Sequence, residues 1–177
     1  VTHADYTSMD LWRDAKDASG AALPTGENVS DTQVVAGEDS LYCLTESSGD
    51  VPLLHVWKYA DGVWADCGQV ASGLSRARME WHAGSLYVAA SDYRSNRVVL
   101  KKFENGAWQE KAHIGKAAND VRMSSVNGVL YVLADDMSSA HAQVYAYGDG
   151  TLRPLGGELP VGYMAHPALF EVGGAPV

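Results

Sequence analysis

Cysteine is scarce in this chain. Cys43 and Cys67 are the only two in 177 residues, too few for a disulfide framework, and their spacing matches no zinc or redox motif. Basic residues are also in the minority, 13 against 22 acidic, and a net charge of -9 leaves no electrostatic footprint for a phosphate backbone. Nucleic acid is therefore not an expected partner. No apolar run is long enough to cross a bilayer, and the opening residues VTHADYTSMDLW carry neither a charged signal-peptide start nor an apolar stretch. They also lack an initiating methionine, so a processed chain or an excised piece is expected.

Local catalytic signatures are missing as well. There is no GxSxG, HExxH, phosphate loop, EF-hand loop or Cys/His cluster. The six histidines are scattered at 3, 55, 82, 113, 141 and 166, and a structural role is the expectation for His55 and His82. No catalytic residue, cofactor or metal ligand is assigned on this ground; the adjacent Asp135 and Asp136 lack the further oxygens that a calcium site needs.

What the chain does contain is a repeat. YADGVW at 59–64 returns as FENGAW at 103–108 and YGDGTL at 147–152, a step of 44 residues each time. Upstream of these turns, Leu-Tyr recurs at 41–42, 86–87 and 130–131, followed by LLHVWKY, VVLKKF and AQVYAY. The segments are rich in β-branched and aromatic residues, as strands are. Asp-Gly and Asn-Gly tolerate the positive φ angles of two-residue hairpins. Each unit reads as four short strands, a to d, that must stack on copies of itself to bury both faces, and four strands in 40 to 50 residues is the pattern of a β-propeller.

The expected architecture is all-β: a partial propeller ring of four-stranded antiparallel blades. Residues 1–29 are assigned to the end of a preceding blade or a linker, 30–74, 75–118 and 119–163 to three blades, and 164–177 to the start of a truncated one. Met9–Ala18 reads as either a helix or a last strand. Cys43 and Cys67 fall on strands b and d of one blade, about 9.5 Å apart across two strand spacings, and both are expected to be reduced. A homodimer closing one ring, or association with missing blades, would cover the open edges.

The pattern of a strand ending in Asn-Gly, then Leu-Tyr-Val, then an aromatic, Asp-Gly and Trp resembles the kelch-type and related repeat propellers of bacterial surface proteins over roughly residues 30–175. The paired glycines of kelch repeats are replaced here by Leu44-Thr45, Ala89-Ala90 and Leu133-Ala134. The resemblance implies a scaffold that binds a protein or carbohydrate ligand, often within a long secreted chain, and hence an extracytoplasmic, secreted or cell-surface setting.

In such a fold strand a lines the central channel, and the loops before it and between b and c share one face. The start of strand a carries Asp31, Arg76 with Arg78, Asp120 with Arg122, and His166 in successive copies. Alternating acids and arginines at a channel mouth can hold a carboxylate, a sugar or a partner loop through forked hydrogen bonds; they can equally stitch neighbouring blades together. On the b-to-c loops, Tyr93 and Arg94 are the residue types enriched at binding hot spots. The reading adopted from sequence is a non-catalytic binding or interaction module. The alternatives are a lyase or hydrolase with its site in the channel, using His166 with Arg78 or Arg122, and a structural spacer.

Overall fold

The computed structural model describes residues 28–136 and 139–160, together with the backbone at 171–172 and 175–176. Twelve strands form three four-stranded antiparallel sheets, each in sequential order. The first holds β1 (Val29–Ala36), β2 (Leu41–Ser47), β3 (Leu53–Ala60) and β4 (Val63–Ser72). β5 (Ser75–His82), β6 (Ser85–Asp92), β7 (Arg97–Glu104) and β8 (Ala107–Ile114) make the second. In the third are β9 (Ala118–Val126), β10 (Val129–Asp136), β11 (His141–Gly148) and β12 (Thr151–Pro160). A two-residue pair, β13 (Glu171–Val172) and β14 (Ala175–Pro176), lies further on. These are three blades of a β-propeller with a period of about 44 residues. His166 and the Met9–Ala18 segment lie outside the described residues.

The turn residues explain why consecutive strands pair so tightly. Asp61-Gly62, Asn105-Gly106 and Asp149-Gly150 all have positive φ at both positions, the geometry in which a two-residue loop matches the twist of its flanking strands. Asn127-Gly128 does the same between β9 and β10, and Ala83-Gly84 between β5 and β6. Behind the first two of these turns an aromatic pair closes the hairpin, Tyr59 with Trp64 at 4.9 Å and Phe103 with Trp108 at 5.2 Å between ring centres, while Tyr147 faces Leu152 behind the third. The Trp108 indole N–H also donates to the Cys67 carbonyl of the preceding blade at 3.2 Å, so this column pegs one blade to the next.

Both faces of the middle blade are covered. One face packs Met79, Leu86 and Val88 against Leu54, Val56 and Leu44 of the first blade. Its other face packs Leu100, Val98 and Ala89 against Val121, Leu130 and Val132 of the third. Each fully buried aliphatic side chain contributes about 1.5–3 kcal/mol, and no sheet could retain that alone. Polar side chains set the stacking register. The Gln33 amide accepts from the Met79 N–H at 2.7 Å and donates to the Met79 carbonyl at 3.0 Å, clamping β1 on β5. Ser91 Oγ accepts from the Ala118 N–H at 3.0 Å and joins the second blade to the third. Trp81 stacks on Tyr42 at 5.5 Å across the first junction, where Gly37 leaves room for both rings. Cys43 and Cys67 are free thiols, and burial pushes Cys43 up to about 11.

Ala83 is the one turn residue of this set with an unbranched apolar side chain in the left-handed region, at φ 48°. Asparagine visits that region at lower cost than alanine and already stands in the equivalent position at Asn127. Ala83→Asn is expected to stabilise the fold by about 0.5–1 kcal/mol, read as a higher urea midpoint with an unchanged slope.

Candidate active site

The three inner strands β1, β5 and β9 lie side by side, and each begins with an irregularity. Register shifts interrupt the ladder between Val29 and Asp31, between Ser75 and Arg78, and opposite Asp135 and Asp136. Bulges of this kind bend a strand and re-aim its side chains. Arg76 sits within one of them with φ 55°, a backbone region that costs a branched or long side chain energy. Counted back from the Leu-Tyr marker, Asp31, Arg76 and Asp120 share one column, while Gln33, Arg78 and Arg122 share another.

These two columns build a chain of ion pairs across the three blades. In the first and third blades the aspartate accepts from the next backbone N–H, Asp31 from Thr32 at 2.8 Å and Asp120 from Val121 at 2.9 Å. Arg78 and Arg122 each donate to the carbonyl just before them, at 2.7 and 3.0 Å. Arg122 pairs with Asp120 of its own blade at 2.5 Å. The middle blade has Arg76 where its neighbours have an aspartate, so Arg78 pairs outward instead: with Asp31 of the first blade at 2.9 Å and with Asp120 of the third at 4.0 Å. Burial, with Arg78 close by, pushes the Arg122 guanidinium down from its ordinary value against the opposing pull of Asp120.

Two more carboxyls complete the cluster. Glu46 lies directly across from Asp31 on β2, and Asp135 directly across from Asp120 on β10. Directly opposed residues project on the same side of a sheet with Cβ atoms about 5 Å apart, so each pair shares a face. Burial holds the Glu46 carboxyl above the usual carboxylate range; the charge of Asp31 adds to this, while the Ala77 N–H and Arg76 work against it. Asp135 is raised for the same first reason, with Asp120 and Asp136 adding to it. Asp31 and Glu46 sit with Thr32, Gln33, Leu44 and Ala77 around a shallow surface dimple that encloses no water-sized space. Chemically the cluster sets carboxyls raised by burial next to carboxylates held by guanidinium groups, the kind of divergence that acid–base chemistry uses.

Of the residues singled out from sequence, Asp31, Arg76, Arg78, Asp120 and Arg122 come together at this mouth. Tyr93 and Arg94 stand on the neighbouring b-to-c loop, with Tyr93 near Arg76. Glu46 and Asp135 were not among them. Extending the column alignment from strand a to the end of strand b would have found them, because Glu46, Ser91 and Asp135 hold one position relative to Leu-Tyr. His82 lies near the far end of β5 and bonds Ser125 Oγ through Nδ1 at 2.8 Å. Larger grooves of about 420 and 270 Å³ open between the outer strands. Their charges are mutually paired, Arg97 with Glu110 at 3.1 Å in the first and Lys116 with Asp136 at 2.9 Å in the second. They recur one repeat apart, and the repeat accounts for them. Among the described residues no group of three or more His, Cys, Asp or Glu side chains is arranged to hold a metal ion, and no helix is long and apolar enough to cross a membrane.

No family model matches the sequence, and no curated protein does. Solved structures do match the fold. An exo-β-1,3-galactanase from Clostridium thermocellum superposes with a TM-score of 0.64 at 15% identity, over 89% of this chain and 42% of its own. An exo-β-1,3-galactanase from Phanerochaete chrysosporium, solved with β-1,3-galactotriose, gives 0.64 at 9% identity over 89% and 44%. A GH43 β-1,3-galactosidase with galactodeoxynojirimycin gives 0.62 at 13% identity over 90% and 69%. The chain thus spans less than half the length of the first two. What the likeness establishes is the propeller fold, and the kelch-like resemblance is not carried further by these neighbours. The expectation of a non-catalytic, non-enzymatic module is corrected: the propellers that this chain matches are glycosidases, with carbohydrate as their named substrate or ligand. The physical reason for the misreading is that a site assembled from one or two residues per blade leaves no contiguous motif.

The raised carboxyl gives a test of the geometry that is independent of activity. A carboxyl that binds its proton more tightly folded than unfolded makes stability fall as pH rises. For Glu46 the penalty is absent below the ordinary value of 4.5 and develops as pH rises through its higher folded value. Glu46→Gln is therefore expected to gain stability relative to the parent at pH 7 compared with pH 4. Denaturant unfolding of both proteins at the two pH values measures this, and an unchanged difference would place Glu46 in solvent.

Proposed function

We propose that the chain carries the glycoside-cleaving site of a propeller hydrolase, formed at the channel mouth from the inner strands of successive blades. The observation that carries this reading is the pairing of Glu46, whose carboxyl burial holds above the usual carboxylate range, with the accessible Asp31 directly across from it, where Arg78 fixes the latter at 2.9 Å. Cleavage of a glycosidic bond needs one carboxylic acid to protonate the departing oxygen and a second carboxylate to activate water or to engage the anomeric carbon. Glu46 is suited to the first role and Asp31 to the second. Asp120 acts as a positioning residue, since it holds Arg78 from the third blade and is itself held by Arg122. The glycosidase neighbours support carbohydrate as the substrate class, and β-1,3-linked galactose is the first substrate to try. An extracytoplasmic setting goes with this reading, because polysaccharides are met outside the membrane.

The test is hydrolysis of β-1,3-galactooligosaccharides, followed by product analysis. Glu46→Gln and Asp31→Asn are each expected to lower kcat/KM by about 10²–10⁴-fold while leaving the fold intact by circular dichroism. In the parent, the alkaline limb of the pH–rate profile should report the raised Glu46 carboxyl. Full activity in both variants would remove these two residues from the chemistry.

A further inference from the structure

Beside the mouth stand two arginines that the ion-pair chain does not use. Arg76 has no carboxylate within ion-pair distance among the described residues; the nearby Tyr93 hydroxyl pushes its guanidinium up from the ordinary value, with Glu46 and Asp120 as more distant charges. Arg94 follows Tyr93 on the loop between β6 and β7, and its guanidinium lies over Gly73 at the link between the first two blades. It too has no carboxylate partner among the described residues. In a chain of net charge -9 most arginines find an acid: Arg78, Arg97, Arg122 and Arg153 all do.

The loop that carries these groups is held in shape. Asp92 Oδ1 accepts from the backbone N–H groups of Arg94 and Ser95 at 3.1 and 3.2 Å, and its other oxygen accepts from the Ser95 hydroxyl at 2.5 Å. Arg97 Nε donates to Ser95 Oγ at 2.8 Å and closes the base. Tyr93 is 42% exposed and stands near Arg76. Arg76 in turn is aimed by the β5 bulge and its left-handed backbone. An exposed aromatic ring on a braced loop, with two arginines that have no acid partner at the same end of the second blade, is complementary to a planar anion on a pyranose ring.

We infer that the Arg76–Tyr93–Arg94 ledge beside the channel mouth is a subsite for a carboxylate-bearing sugar, so that the preferred glycan carries a uronic acid next to the bond cleaved at Asp31 and Glu46. This rests on the glycosidase reading for its position and specifies the substrate class. Tyr93 supplies the stacking face, Arg94 the free fork, and Arg76 a second donor set that a carboxylate can share with the Tyr93 hydroxyl. No residue of the ledge performs a bond-making step.

The test compares a β-glucuronyl-galactose disaccharide with its β-glucosyl-galactose counterpart, which differs only in bearing a hydroxymethyl group in place of the carboxylate. A 6-sulfated form of the latter serves as a third probe. Binding is read by calorimetry on the 177-residue chain, and turnover of the same disaccharides is assayed separately. The uronate is expected to bind at least about tenfold tighter than the neutral sugar and tighter than the sulfate, whose tetrahedral oxygens do not fit a planar fork as well. Arg94→Gln and Arg76→Asn should collapse that preference; the asparagine keeps the left-handed backbone accessible, and Arg94→Lys tests the fork with the charge retained. Equal affinity for acidic and neutral sugars, equal affinity for sulfate and carboxylate, or a preference that survives both variants would overturn the inference. Turnover without acidic preference would leave the hydrolase reading standing and remove the ledge. Acidic preference without turnover would do the opposite.

Discussion

Arg78 ties three blades together at one point, reaching Asp31 on one side and Asp120 on the other. Its position follows from a single departure in the repeat. Where the first and third blades have an aspartate at the start of the inner strand, the second has Arg76, so the arginine two residues later lacks a carboxylate partner in its own blade and turns to its neighbours. A partly buried pair of this kind gains little over an apolar substitute, but losing one partner leaves a charge behind in a poorly solvated place. That asymmetry accounts for the paired geometry around Arg78 and for the clustering of carboxyls from different blades at the mouth.

The rest of the fold sets the conditions for that junction. Inter-blade register depends on side chains bonding to the backbone of the next inner strand, Gln33 to Met79, Glu46 to Ala77 and Ser91 to Ala118. Glu46 and Ser91 hold equivalent places in successive blades and perform the same structural task. Only Glu46 is an acid, and the same burial that makes it a good blade-to-blade clasp raises its carboxyl above the usual range. A side chain that stitches blades together is therefore not barred from a chemical role by its structural one.

Much of the architecture was legible in the residues because a propeller repeats its instructions. Asp-Gly and Asn-Gly marked hairpins that the backbone indeed closes with positive φ, and the Leu-Tyr column set where each inner strand starts. Asp31, Arg78, Asp120 and Arg122 could be placed at one end of the channel by counting alone. Glu46 and Asp135 were hidden for a physical reason: they end their strands next to variable loops, and only the cross-strand register shows that they face Asp31 and Asp120. The enzymatic reading stood second to a binding module for a related reason. Motif recognition works when a catalytic group and its partner lie near in sequence, whereas Glu46 and Arg78 meet around the same mouth from different blades. The pull of burial on a carboxyl is likewise invisible until its neighbours are known.

The most direct measurement is the location of a bound sugar, by crystallography or by NMR shift mapping with β-1,3-galactobiose. The account predicts contacts at Asp31 and Glu46 with Arg78 beneath them, and perturbation of the Tyr93–Arg94 loop at the rim. A sugar seated in the outer grooves beside Lys101 or His141, with the mouth undisturbed, would contradict it and return the ion-pair chain to a purely structural part in holding the blades together.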